Sequence, residues 1–367
     1  MTAFAIYRLP LSDRCIRVEQ TDGEPEEMQS LAGLNGRRGF VMSPFAPSED
    51  CPILLIRPDK TSEMAVSELP DCTDTTPRAI LTEADRTVYA ADFQRFHSQI
   101  LAGNFQKIVL SRCATAVAVS KPSLLQLFSR ACRMFPRMFV ALVSTTRSGT
   151  WLAATPEILL KGERGRWETM ALAGTMPLSD GQLSFDNPPV SMGESDDRGI
   201  DWSAKNIREQ RFVASYIAES IAPFAANVTE KGPYTVRAGN LVHLRSDFSF
   251  TLNHTEQLGN LLDALHPTPA VCGLPKHSAL QFILDNETTP RRYYSGIIGP
   301  IDADGLTNLC VSLRCMEIIS DKYRLYAGGG LVDASTETAE WLETEAKMGT
   351  MGSVIGLETD MQHGGNE

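Results

Sequence analysis

A chain of 367 residues with 43% hydrophobic content is long enough to bury one large core or two smaller ones, and its composition is that of an ordinary soluble enzyme. Its net charge of −11 argues against a nucleic-acid surface, which needs clustered Lys and Arg, and no segment reaches the roughly 18 to 20 apolar residues of a membrane helix. Met1–Pro10 carries no basic region followed by an apolar run, so the chain is expected in the cytoplasm.

Residues 1–91 alternate short apolar runs, such as Cys51-Pro-Ile-Leu-Leu-Ile, with polar, Pro-rich connections, and read as a β-rich portion. Phe93, Phe96, Ile100 and Leu101 are spaced for a helix over Asp92–Ala102 that Gly103-Asn104 stops. A strand is expected over Phe105–Ala114, where alternation puts Lys107 on one face with Val109. A lysine partly buried among apolar groups has its pKa lowered toward that of a general base; the alternative is an edge-strand lysine that discourages aggregation. A helix over Lys121–Phe135 follows, then strands Met138–Thr145 and Thr150–Lys161 joined by a turn at Arg147-Ser148-Gly149. Glu157 lies in the second of these, beside an apolar segment that raises a carboxyl toward the range of a general acid, unless Pro156-Glu157 only marks a bulge.

Residues 178–201, rich in Asp, Gly, Ser and Pro, read as a mobile loop and a candidate lid ahead of a helix over Ala204–Ala222. In that helix Glu209 shares a stripe with Phe212, Val213 and Tyr216 and so faces inward, where a carboxylate needs a salt bridge or a metal. His243, in Leu241-Val-His-Leu, reads as a core or pocket histidine. Arg314, ending Val311-Ser-Leu-Arg, suggests a bidentate grip on a carboxylate or a structural ion pair. The eight cysteines form no C-x-x-C pair and the six histidines no H-x-H or H-E-x-x-H, which argues against a zinc ribbon or a disulfide framework. Carboxylates without His or Cys select a hard ion, most plausibly Mg²⁺.

The stretch Leu325–Lys347 joins three adjacent glycines, Gly328 to Gly330, to a helix in which Glu340, Glu343 and Lys347 fall at i, i+3 and i+7. A glycine turn lets backbone N–H groups approach an anion, and Ser335 is placed to cap the helix. A stripe of this kind can hold a hard cation beside a carboxylate; a solvated face with one Glu/Lys pair is the alternative.

Lys107-Ile-Val-Leu-Ser-Arg112, Ala154-Thr-Pro-Glu157, Leu172-Ala-Gly-Thr175, His266-Pro-Thr-Pro-Ala270, Arg292-Tyr-Tyr-Ser-Gly296, Val311-Ser-Leu-Arg314 and Ala327-Gly-Gly-Gly330 occur in one order. In that order they resemble the chorismate-utilising enzymes, and among them the isochorismate synthases of menaquinone and siderophore pathways. The resemblance implies an α+β sandwich of the anthranilate/aminodeoxychorismate synthase-like kind, with packed antiparallel sheets and outer helices. It also implies a single large domain in which residues 92–355 form the catalytic region, residues 1–91 share little with the family and 356–367 form a tail. By the same resemblance Lys107 activates water for attack at C2 of chorismate and Glu157 protonates the departing C4 hydroxyl. Glu209 and Glu343 match metal-binding glutamates for Mg²⁺, with Glu340 a ligand through water. Arg314 and Tyr294 match residues that hold the enolpyruvyl carboxylate, Gly328, Gly329 and Lys347 the region around the ring carboxylate, and Gly174, Thr175 and His243 the same pocket.

Two positions discriminate within the resemblance. Ammonia-using relatives usually carry Gln where Lys107 stands, so Lys107 points to water, and no amidotransferase partner is expected. Relatives that work through a covalent lysine carry it where this chain has Ala173. Gln210 departs from the family's usual Glu-His, and Asn206 replaces a carboxylate of some salicylate-forming relatives. The expected activity is isochorismate synthesis, most plausibly for menaquinone. Salicylate synthesis and a non-catalytic ligand-binding regulator are the alternatives.

Overall fold

The run Phe139-Val-Ala-Leu-Val has no polar residue at either parity, so a strand made from it must bury both faces. The computed structural model, which describes residues 3–71, 76–163, 165–177, 202–238 and 241–358, meets that demand with four layers. Its longer helices are α1 (Arg86–Leu101), α2 (Leu124–Met134), α3 (Ala204–Ile221), α4 (Leu258–Leu265), α5 (Lys276–Asn286) and α6 (Glu337–Ile355). Phe139, Ala141 and Val143 meet Phe40, Met42, Leu54 and Ile56 of a second sheet. Val140 and Leu142 point the other way, into a cluster with Leu127 and Phe128 of α2 and Met351 and Ile355 of α6. The second sheet repeats the device, turning Val41, Ile53 and Leu55 toward α1, α3, α4 and α5. The two sheets thus share one apolar layer, and helices cover their outer faces.

Among the described residues one sheet has eleven strands and the other nine. At the centre of the first, Lys107–Ala118 lies against Lys322–Leu331, followed by Cys315–Ile319, Gly149–Thr155, Phe139–Thr145 and Ala3–Arg8. The second begins with the long hairpin Ala225–Ala238 and Leu241–Leu252 and continues through Arg166–Pro177, Ile158–Glu163, Leu306–Val311, Ile297–Asp302 and Arg38–Ser43. Pairing is antiparallel save for Leu357–Glu358 on Ala79–Glu83. The architecture is α+β, as the sequence leads one to expect. Strands from the first 71 residues enter both sheets: Ala3–Arg8 pairs with Phe139–Thr145, and Arg38–Ser43 with Ile297–Asp302.

Two expected elements differ in extent. Helix α1 begins at Arg86, because the Asp85 carboxylate accepts from the backbone N–H of Thr87 and Val88. Thr150–Lys161 is not one strand: Pro156 has no N–H to continue a ladder, so Gly149–Thr155 ends in the first sheet and Ile158–Glu163 starts in the second. Glu157 sits at that crossing. The candidate lid 178–201 and the tail beyond residue 358 lie outside the described residues. No described helix is long and apolar enough to cross a membrane.

Phe40 is fully buried in the layer between the sheets. Phe40→Ala is expected to lower the free energy of unfolding by about 3–5 kcal/mol, read as a fall in the urea midpoint. A loss below about 1 kcal/mol would show that the N-terminal strands carry little of the common core.

Candidate active site

Three glycines in a row would weaken an ordinary strand, yet Gly328, Gly329 and Gly330 sit inside Lys322–Leu331, paired with Ser111, Leu110 and Val109. They do not form the turn expected from sequence. Their work is steric. A Cβ on Gly330 would stand 2.6 Å from Glu209 Oε1 and 2.7 Å from Lys107 Cε; one on Gly329 would stand 2.7 Å from Glu340 Oε2, and one on Gly328 3.0 Å from the Tyr294 hydroxyl. The missing side chains make room for four functional ones.

A single cavity at this place is lined by nine of the residues singled out above: Glu157, Gly174, Thr175, Glu209, His243, Tyr294, Arg314, Gly328 and Lys347. Lys107 stands just behind the wall, fully buried, its Nζ 2.8 Å from Glu209 Oε1. The contact is a close ion pair between two side chains largely withdrawn from water. Burial alone would raise the Glu209 carboxyl, but Lys107 holds it below the ordinary range. Among the described residues Glu157 has no such partner. Burial pushes its carboxyl up to about 8, against the pull of Lys107, Lys347 and Arg314. Of the two neighbouring carboxyls, one is therefore ionised near neutrality and the other protonated.

Another wall of the cavity carries a buried positive charge. Arg314 is 6% exposed, and no carboxylate among the described residues pairs with it. Its Nη1 donates to Thr350 Oγ1 at 3.2 Å and its Nη2 to His243 Nε2 at 3.3 Å, while burial lowers its pKa to about 10. A guanidinium only donates, so His243 Nε2 accepts. The Nδ1–H then donates to the Gly174 carbonyl at 3.2 Å, with the Thr175 hydroxyl also 3.2 Å away. Burial and the nearby Arg314 hold His243 well below its ordinary pKa, so it is neutral. Arg314 keeps φ at 45°, in a left-handed region that costs a non-glycine residue about 1–2 kcal/mol. Tyr294 stacks on Tyr326 with ring centroids 5.6 Å apart, and Tyr326 in turn on Trp151 at 5.4 Å. Lys347 Nζ donates to the Gly328 carbonyl at 2.9 Å and to Glu343 Oε1 at 2.6 Å.

Gly329, Glu340 and Glu343 lie outside the cavity wall itself. Each of the three glutamates expected from sequence to bind metal is held by a lysine: Glu209 by Lys107, Glu343 by Lys347, and Glu340 by Lys205 Nζ at 2.5 Å. Among the described residues no three His, Cys, Asp or Glu side chains are gathered as a ready-made metal cluster. The donor set nevertheless suits a hard cation. Glu340 is 1% exposed, its Oε2 makes no hydrogen bond, and burial with the charge of Glu343 raises its carboxyl, as expected where negative charge is left over.

Some contributors escape a reading of the sequence. Lys205 stands one turn before Glu209, and that spacing is its one cue in the sequence; its partner, Glu340, lies on α6. Ser335 does not cap α6, whose N-cap is Thr336 without a side-chain bond; its hydroxyl donates to Glu340 Oε1 at 2.7 Å. Gln210 does not enter the cavity. Its Oε1 accepts from Ala173 N at 2.9 Å and its Nε2 donates to the Ala171 carbonyl at 3.1 Å, so the amide acts as a short piece of strand beside Arg166–Pro177. Asn206 packs its backbone and Cβ on Gly174, which takes a positive φ of 69° at a bulge in that strand.

Residues 56–356 match the model of a family described as chorismate binding enzyme. Over 255 residues, 68% of this chain, the sequence is 30% identical to isochorismate synthase EntC of Escherichia coli strain K12. The matched stretch spans 62% of that relative's length. Among solved structures the fold is similar to that of DhbC from Bacillus anthracis (TM-score 0.79, 24% identity, 97% of each chain covered). It is also similar to MenF from Escherichia coli (TM-score 0.74, 21% identity, 97% of this chain and 89% of that one).

The raised carboxyl of Glu157 has a thermodynamic consequence. Its folded-state pKa lies above the ordinary 4.5, so the folded chain keeps a proton that the unfolded chain releases. The stability Glu157 supports is therefore complete below about 4.5 and lost as pH rises to about 8. Glu157→Gln removes the titration. Its melting temperature relative to the parent is expected to climb between pH 5 and pH 9, at no more than about 1.4 kcal/mol per pH unit. A constant difference across that range would mean that Glu157 is ionised throughout.

Proposed function

The chain belongs to the chorismate binding enzyme family, and from that premise we propose that it is an isomerase converting chorismate to isochorismate. The observation that carries the reading is Glu157, a buried carboxyl held protonated near neutrality in a cavity also lined by Arg314, a guanidinium with no carboxylate partner among the described residues. Such a group donates a proton to a departing hydroxyl, here the one at C4. Lys107, whose ammonium lies beside Glu209, is the group that activates the water attacking C2. Arg314, steadied by neutral His243 and by Thr350, grips the enolpyruvyl carboxylate beside Tyr294. Lys347 and the Gly328 backbone lie by the place of the ring carboxylate. Lysine at position 107 and alanine at 173 favour water over ammonia or a covalent lysine, so the protein is expected to act without an amidotransferase.

We further propose that Glu343, Glu209 and Glu340 hold Mg²⁺, a reading supported by an all-carboxylate donor set and the unpartnered Glu340 Oε2. When bound, the ion would neutralise the ring carboxylate and the charge that develops on the ring. The cytoplasm is the proposed compartment, supported by seven described cysteines that are all unbridged. Menaquinone synthesis is the proposed destination of the product. Its support is the likeness to MenF, and the likeness to EntC makes a siderophore route the one to compare with it.

Incubation with chorismate and Mg²⁺, with and without ammonium, followed by chromatography, is expected to yield isochorismate without pyruvate. Salicylate with pyruvate would make the chain a salicylate synthase, and no conversion would leave it a ligand-binding protein. Because the acid must be protonated, kcat/KM is expected to fall as pH rises past about 8, and Glu157→Gln to abolish that limb while Mg²⁺ affinity stays nearly unchanged. Lys107→Gln should cut kcat about 100-fold or more. Glu343→Gln should weaken Mg²⁺ binding, measured by calorimetry, before it alters anything else; parental Mg²⁺ affinity in that variant would remove Glu343 from the proposed set.

A further inference from the structure

The strand that carries Lys107 has a complete neighbour on one side only. Lys322–Leu331 pairs with it from Ile108 to Val117. On the other edge Gly273–Leu274 reaches Lys107 and Ile108, and Ala79–Glu83 pairs only from Thr115 to Ala118. Between them lies a window in the sheet. The window is closed by two side chains: Glu287 Oε1 accepts from Ser111 N at 2.7 Å, and Arg291 Nη2 donates to the Val109 carbonyl at 2.8 Å. Acceptor and donor stand where a neighbouring strand would put its own carbonyl and N–H.

Glu287 and Arg291 are also paired with each other, Oε2 to Nε at 2.6 Å and Oε1 to Nη2 at 2.8 Å, and each side chain is 3% exposed. Arg291 stacks over Phe45 and donates its Nη1 to the Val271 carbonyl at 2.6 Å. Burying two charges for stability alone is inefficient, since an apolar pair of similar volume often does as well. Position is the better explanation. Val109 and Val271 both line the cavity, Ser111 is paired with Gly328, and Lys107 is two residues from Val109.

We infer that the Glu287–Arg291 ion pair is a positioning device that replaces a missing strand and fixes the register of Val109 and Ser111, and through them the place of Lys107. The inference rests on the reading of Lys107 as the base, but the contacts it invokes do not.

The double variant Glu287→Leu/Arg291→Met removes both charges together and so leaves neither unpaired. It does take partners from Ser111 N and from the Val109 and Val271 carbonyls, so it is expected to melt below the parent while remaining folded at about 25 °C. Its kcat on chorismate should fall about 10- to 100-fold with KM nearly unchanged, and amide hydrogens from Val109 to Ser111 should exchange faster while the rest of the chain keeps its protection. Glu287→Gln, which retains an oxygen for Ser111 N, should lie between parent and double variant in both readouts. A folded double variant with parental kcat and parental exchange overturns the assignment. So does a double variant that fails to fold alongside a Gln variant indistinguishable from the parent, since the pair would then serve stability. If the parent itself does not turn over chorismate, the proposed activity fails, and the exchange rates alone decide the positioning role: faster exchange sustains it and unchanged exchange ends it.

Discussion

Three lysines and three glutamates are largely withdrawn from water around one cavity, and each charge is there because its opposite is within reach. Lys107 with Glu209, Lys347 with Glu343 and Lys205 with Glu340 satisfy the rule that a buried charge must be paired or give up its ionisation. Two groups stand outside this balance. Among the described residues Glu157 has no ion-pair partner and keeps a proton, while Arg314 cannot shed its own and has no paired carboxylate. Around the cavity the surplus is positive in a chain that is negative overall, an arrangement that favours an anionic ligand locally.

That crowding of side chains depends on the backbone yielding space. The glycine triplet gives up its side chains in mid-strand, where glycine is ordinarily a weakness, so that carboxylates and lysine can approach the sheet from its own face. The crossing at Pro156-Glu157 has a similar logic. A strand that changes sheets leaves a carboxyl at the seam between the layers, away from water, and burial there raises its pKa.

Local pattern revealed those parts of the site that depend on period alone. Helical spacing turned Glu209 inward, strand alternation put Lys107 with Val109, and an apolar setting raised Glu157. Contacts between distant segments were beyond it. Nothing near residue 205 indicates that its lysine meets a glutamate 135 positions later, nor does anything near 287 indicate a bond to an amide 176 positions earlier. Three adjacent glycines look like a turn because turn and steric relief use the same residue; only the side chains packed over them tell the two apart. Ser335 misled for a related reason, since a hydroxyl before a helix serves as readily for a carboxylate as for a cap. The resemblance to a known family supplied what period could not, namely which of the inward charges belong to one pocket.

The placement of the first strands bears on how the chain is made. Ala3–Arg8 finds its neighbours in Arg14–Gln20 and Phe139–Thr145, but Arg38–Ser43 waits for Ile297–Asp302. At about 5–20 residues per second of ribosomal synthesis, an apolar edge from the opening segment is left without that partner for tens of seconds. Until residues 297–302 have been made, that edge, which carries Phe40, Val41 and Met42, is the part of the second sheet most open to mispairing or to chaperone capture.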